Sequence, residues 1–184
     1  MKVITQKEFD NFPVVDGYKQ CPSGNYTKIK QFENDCSFGE NCKFGNCEFG
    51  RRCHFGDHCE FGNDCSFSED CTFGFTCSFG IWCIFNTCKI GQDSSFGECC
   101  VFEGKCIIEN EHITKNQCPL LIFSGFGTVR RTTYFFNCKD GIFVRCGCFF
   151  GDIEQFRERV KKTRKDRLGK EYLMIADLVE MKWK

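Results

Sequence analysis

From Tyr26 onward one apolar position recurs at a fixed interval: Phe32, Phe38, Phe44, Phe49, Phe55, Phe61, Phe67, Phe73, Phe79, Phe85, Ile90, Phe96, Phe102 and Ile108. Every step is six residues except the two fives from Phe44 to Phe49 and from Phe85 to Ile90. Two residues before each anchor from Phe38 on stands a small residue, cysteine everywhere but Ser94, so the unit is C-x-F-G-x-x. Alternation within C-x-F sends Cys and Phe to one side of the chain and the middle residue to the other. The G-x-x that follows is polar and turns the chain, and the glycine is expected to give the corner its backbone freedom. Strand, corner, strand, corner is a coil. Three such sides give a coil of about 18 residues, with parallel strands paired between coils and Phe stacked on Phe inside.

The flanking segments have other textures. Residues 1–25 read as a cap over the exposed end of the coil, with a short helix in Thr5 to Phe12 before Pro13. After a link at 109–119, residues 120–184 read as a small α+β segment. Its expected strands are Leu120 to Phe123, Thr128 to Phe136 and, after the Asp140-Gly141 turn, Ile142 to Phe149, with Val144, Cys146 and Cys148 on one face. A helix capped at Gly151-Asp152 carries Ile153, Phe156 and Val160. A break at Asp166 to Gly169 precedes a second helix with Tyr172, Leu173, Ile175, Ala176, Leu178 and Val179. The expected fold is mainly β: a single-stranded parallel β-helix of 4–5 triangular coils over 26–108, followed by a β-hairpin and two helices.

Composition sharpens this in two respects. Acidic and basic residues balance at 25 each, but Phe32 to Ile108 holds twelve acids against five Lys or Arg, and Leu120 to Lys184 holds fourteen basic residues against eight acids. An acidic body with a basic tail suggests mutual attraction or an anionic partner, against the plainer reading of solvated faces. Eighteen cysteines would ordinarily suggest a secreted disulfide scaffold, but twelve of them occupy the small slot of the repeat. There they read as reduced core residues, because free Cys packs as a small hydrophobe. The N-terminus lacks the apolar core of a signal peptide, and no stretch approaches the length of a membrane span, so a cytoplasmic address without membrane contact is expected.

Segments such as Phe38-Gly39-Glu40-Asn41-Cys42-Lys43 resemble the hexapeptide-repeat family, whose unit runs aliphatic, Gly-like, two free positions, small, one free position. The resemblance covers 26–108 and implies a left-handed parallel β-helix assembled as a homotrimer. Phe in place of the family's aliphatic residue departs from it, as do the two five-residue steps, which are closer to the square coil of pentapeptide-repeat proteins. The C-terminal segment resembles phage-encoded proteins of unknown function, which would place the protein in a host cytoplasm. The family's known activity is acyl transfer from acyl-CoA with a His general base, for which His112, after the last repeat, is the candidate. No long loop leaves the coils, which argues against that activity.

Other chemistry is sparse. Cys138, Cys146, Cys148 and the pair Cys99-Cys100 lack zinc-type spacing and read as core residues, so no metal or cofactor is expected. Arg51 and Arg52, with His54 and His58 nearby, form a basic corner in the acidic body; Arg130 and Arg131 lie in a Gly/Ser/Thr-rich stretch. These are the candidate contacts for a phosphate-bearing ligand, since arginine offers a planar fork to its oxygens. The plainer alternative is a surface arginine pair, and the basic run Arg157 to Arg167 reads as a solvated helix face. Phe75, Ile81, Trp82, Ile84 and Val101 are apolar where earlier repeats are polar, and mark an oligomer or domain contact. The outward positions show no regular Thr array of the ice-binding kind. The function expected is a non-catalytic binding or assembly protein on a trimeric β-helix, with a nucleotide-like anion as its ligand. The alternatives are an acyltransferase, an acidic mimic of nucleic acid and a purely structural trimer; direct nucleic-acid binding is not expected, because the Phe residues face inward.

Overall fold

In the computed structural model, residues 1–109, 112–115, 119–125 and 132–183 are described. The chain divides into two compact units, Met1–Gln117 and Cys118–Lys184. The first is a parallel β-solenoid of about five turns. Its first face stacks Tyr18–Cys21, Cys36–Phe38, His54–Phe55, Thr72–Phe73, Lys89–Ile90 and Ile107–Ile108. The second stacks Lys43–Phe44, Glu60–Phe61, Ser78–Phe79 and Ser95–Phe96. The third stacks Gln31–Phe32, Glu48–Phe49, Ser66–Phe67, Ile84–Asn86 and Val101–Glu103. Register follows the aromatic period, with Phe38 opposite Phe55 and Phe55 opposite Phe73. The three-sided, parallel architecture is the one the repeat predicts.

Phenylalanine is accommodated by interlocking rings. Along each column the rings stack in parallel: Phe32 on Phe49 at 4.7 Å, Phe49 on Phe67 at 5.0 Å and Phe67 on Phe85 at 5.1 Å. Between columns they meet edge to face, as Phe55 meets Phe61 at 5.0 Å and 87° and Phe67 meets Phe73 at 4.8 Å and 90°. Each ring thus presents its positive edge to a neighbour's negative face, and aromatic pairs favour such contacts by about 0.5–1.5 kcal/mol beyond their burial.

The cysteines of the small slot fill the space between rings and corners, and all of them are buried and free. They also satisfy corner carbonyls: the Cys65 thiol donates to the Gly45 carbonyl at 3.0 Å, and Cys42 to Gly39 at 3.2 Å. Ser94 makes the same contact to Gly91 at 3.0 Å, which explains why serine substitutes at this slot. Burial pushes the Cys106 thiol up to about 12.

The corners correct the expected role of glycine. The left-handed backbone lies at the residue before the small slot, for example Asp35 (φ 60), Asn41 (φ 57), Asp64 (φ 54) and Asp70 (φ 62), where Asp and Asn are tolerated best. Most glycines after the apolar anchor have ordinary φ and are required by close approach of successive coils. A Cβ on Gly74 would lie 2.8 Å from the backbone nitrogen of Asp57, and one on Gly91 2.5 Å from the carbonyl oxygen of Gly74.

Both ends of the first face are closed by antiparallel strands, Val14–Val15 against Tyr18–Cys21 and His112–Ile113 against Ile107–Ile108. Helix α1 (Gln6–Asp10) begins with a capping box between Thr5 and Glu8. Its Phe9 is buried and meets Phe32 edge to face at 5.2 Å, so the helix covers the first exposed ring of the ladder. Lys2 and the Thr5 cap hold the Glu8 carboxyl down at about 2.

The second unit is a four-stranded antiparallel sheet, Leu120–Phe123, Thr133–Cys138, Gly141–Cys146 and Phe149–Asp152, in that order. Two helices, α2 (Ile153–Thr163) and α3 (Arg167–Trp183), pack on one face around Phe135, Val144, Phe156, Ile175, Ala176 and Val179. Asp152 caps α2 in a capping box with Gln155. One expectation needs correction. The return strand is not continuous to Phe149: a turn at Gly147 (φ 59) and Cys148 divides it and adds a fourth strand. Consequently Cys146 and Cys148 do not share a face, for Cys146 is buried against Thr133 and Tyr172 and Cys148 is exposed. On α3, Leu178 is exposed beside Met174 and Met181.

Two measurements follow. Phe67→Ala removes a ring stacked above, below and across, and should cost about 3–5 kcal/mol of unfolding free energy in a urea titration. In the native protein an aromatic disulfide reagent should label Cys99 and Cys148, which are exposed, while the ladder thiols should react only after denaturation.

Candidate functional site

The basic corner is internally neutralised. Arg51 and Arg52 stand at the corner between the third and first faces, Arg52 with a left-handed backbone (φ 55). Arg52 grips Asp35 of the preceding coil with two hydrogen bonds, 2.7 and 2.8 Å, and Arg51 lies 3.4 Å from Glu69 of the next. The Arg52 guanidinium holds the Asp35 carboxyl below the usual range, and Asp35 raises Arg52 in return. An anion binding here would have to displace both carboxylates.

His54 and His58 do not converge on that corner. His54 is an outward residue of the first face, with its Nδ1 2.5 Å from the Thr72 hydroxyl and its ring 4.9 Å from that of Tyr18. His58 sits at the following corner (φ 58), exposed, and its backbone N–H donates to the Phe75 carbonyl. His112 is half-buried in the closing strand His112–Ile113. Arg130 and Arg131 lie outside the described residues. Cys99 is exposed at a corner and Cys100 buried, so those two sulfurs also part. Among the described residues no group of three or more His, Cys, Asp or Glu side chains could hold a metal ion, and no helix is long and apolar enough to cross a membrane.

The apolar residues, in contrast, are brought together along one turn of the solenoid. Phe75 lies at the corner between the first and second faces, Ile81 and Trp82 at the next corner, and Ile84 opens the third face. All four are exposed, Trp82 by 57% of its surface. Ile84 pairs in register with Val101 of the next coil, which continues the apolar row upward. Trp82 also takes the left-handed corner conformation (φ 62), which the equivalent residue one coil earlier fills with Asp64. That backbone costs a residue with a Cβ roughly 1–2 kcal/mol, and here no burial offsets it.

Periodicity did not single out a cavity in the second unit. It lies between the end of α2, the turn at Cys148 and α3, and it includes Arg159 and Arg164 from the basic run assigned to a solvated face. The only signal in the sequence was the density of that run next to Cys146-Gly147-Cys148. Its partner in charge, Arg157, is a structural residue engaged by Glu154, Asp177 and Glu180 at 3.0, 2.5 and 2.7 Å.

Because Asp35 is depressed in the folded chain, the Asp35–Arg52 pair stabilises the fold above the ordinary Asp pKa of about 3.9, and this is lost as pH falls through the lowered value. Arg52→Gln should therefore move the Asp35 carboxyl resonance midpoint upward in an NMR titration. Neither the protein-family models, nor the curated proteins, nor the solved structures give any match to this chain.

Proposed function

We propose that this protein is a non-catalytic binding and assembly module whose solenoid associates with copies of itself through the edge centred on Trp82. The observation that carries this reading is Trp82 itself: a large apolar side chain, mostly exposed, on a left-handed backbone that favours Asp or Asn. Phe75, Ile81 and Ile84 extend the surface within one coil, where the corners below are Glu40-Asn41, Asp57-His58 and Asn63-Asp64. An exposed apolar patch rimmed by polar residues is the usual mark of a protein contact, and aromatic residues dominate the energy of such contacts. The trimer and the left-handed coil belong to the hexapeptide-repeat reading of the C-x-F-G-x-x unit. Straight parallel solenoids can bury one edge each around a three-fold axis.

Sedimentation equilibrium should give a three-chain mass for the wild type at about 100 μM, a range in which modest interfaces are occupied. Trp82→Glu should sediment as a monomer with an unchanged β-sheet spectrum, because the side chain lies outside the core. A monomeric wild type, or a variant of unchanged mass, would overturn the proposal.

A further inference from the structure

Helix α3 carries an exposed apolar row of its own. Met174, Leu178 and Met181 recur at intervals of four and three residues, which puts them on one side of the helix, about 10 Å from end to end. They are exposed by 70%, 50% and 76% of their surface. The other side of the helix, with Tyr172, Ala176 and Val179, is buried in the core of the second unit, so the row is not needed to hold α3 in place. Phe123 and Ile175 adjoin the row and extend its apolar surface.

Lysines bracket the row. Lys170, Met174, Leu178 and Lys182 follow one another at intervals of four, so an exposed lysine stands at each end. Neither lysine makes an ion pair among the described residues. The carboxylates beside the row are, in contrast, balanced by arginine: Asp177 and Glu180 by Arg157 at 2.5 and 2.7 Å, and Glu171 by Arg167 at 3.4 Å. Lys161 follows Arg157 by one turn, on the flank of α2 that Arg157 turns to α3, and it too is exposed and without an ion pair among the described residues. The surface around the row is therefore positive, in keeping with the fourteen basic residues against eight acids in 120–184.

We infer that α3 docks the second unit on an anionic lipid bilayer, with Met174, Leu178 and Met181 among the acyl chains and Lys170 and Lys182 at the headgroups. A bilayer surface is complementary to this face in both respects: it is apolar inside and negatively charged at the rim. Lysine stems lie along apolar surface while their ammonium groups stay in the headgroup layer. The row occupies one side of the helix, so the helix lies in the plane of the surface. Among the described residues no helix is long and apolar enough to cross a bilayer, which bears on crossing and not on resting against one. Docking through α3 is independent of association through Trp82.

The test co-sediments the full-length protein with vesicles of phosphatidylcholine alone and with vesicles of phosphatidylcholine and phosphatidylserine in equal parts. Binding should be confined to the mixed vesicles and should weaken as added salt screens the lysines. Met181→Glu, on a side chain outside the core, should keep the wild-type circular dichroism and reduce partitioning at least about tenfold. Lys170→Gln and Lys182→Gln should each reduce it about fivefold, the effect of one basic residue at an anionic surface. Trp82→Glu, which removes the apolar patch of the solenoid, should still bind. Absence of binding to the mixed vesicles overturns the inference, as does equal binding to both compositions, unchanged binding of Met181→Glu, or complete loss in Trp82→Glu. A sedimentation mass that falls in Met181→Glu, with no vesicle binding by the wild type, assigns the row to a second copy of the chain and also overturns it.

Discussion

Edge-to-face contact between phenylalanine rings governs the solenoid. A ring on one face can stack on the ring of the same face one coil away only if the strands keep register, and it can meet the rings of the other two faces only if their edges arrive at nearly a right angle. Both conditions hold through the regular part of the ladder, so the cross-section cannot vary from coil to coil. The small slot follows from this packing. A side chain bulkier than Cys would push the corner away from the rings, and one without a polar hydrogen would leave inward-facing corner carbonyls without the donors that Cys65 and Ser94 supply.

The corners carry the mechanical strain and the chemical individuality of the fold. Successive corners approach so closely that a Cβ after the apolar anchor is excluded at Gly74 and Gly91, while the residue before the small slot is held at positive φ. Side chains at that second position point to solvent and are free to differ. In one column the difference is charge: Arg52 binds Asp35, and this pair links coils without perturbing the core. In another it is Trp82, which neither relieves strain nor buries its own surface. The backbone requirement is common to all corners, and Trp82 meets it poorly while remaining exposed.

The second unit separates charge by function along one helix. Arg157 ties α2 to α3 through Asp177 and Glu180, with Glu154 as a third partner, and it is a structural cation. Arg159 and Arg164 line a cavity with Cys148, Phe149 and Thr163. Spacing of two residues on a helix is enough to place neighbouring arginines on different flanks with different neighbours.

The sequence by itself determined the solenoid. A six-residue period with an aromatic anchor and a small partner admits few other structures, because alternation within C-x-F and the turn after it act locally in every repeat. It also determined the pairing of Ile84 with Val101, the Asp152 cap of α2 and the core residues Phe156 and Val160, all consequences of short-range periodicity. Only the tertiary structure decided the rest. Glycine proved to serve close approach between coils, a contact 17 or 18 residues apart that local conformation does not reveal. Arg51 and Arg52 proved to be paired, because Asp35 and Glu69 come beside them only when the coils stack. Cys146 and Cys148 parted at a turn that the strand pattern had run through, and the cavity beside them exists only once α2 and α3 have docked on the sheet. A repeat writes its own neighbours into the sequence; a cavity assembled from a turn and two helices does not.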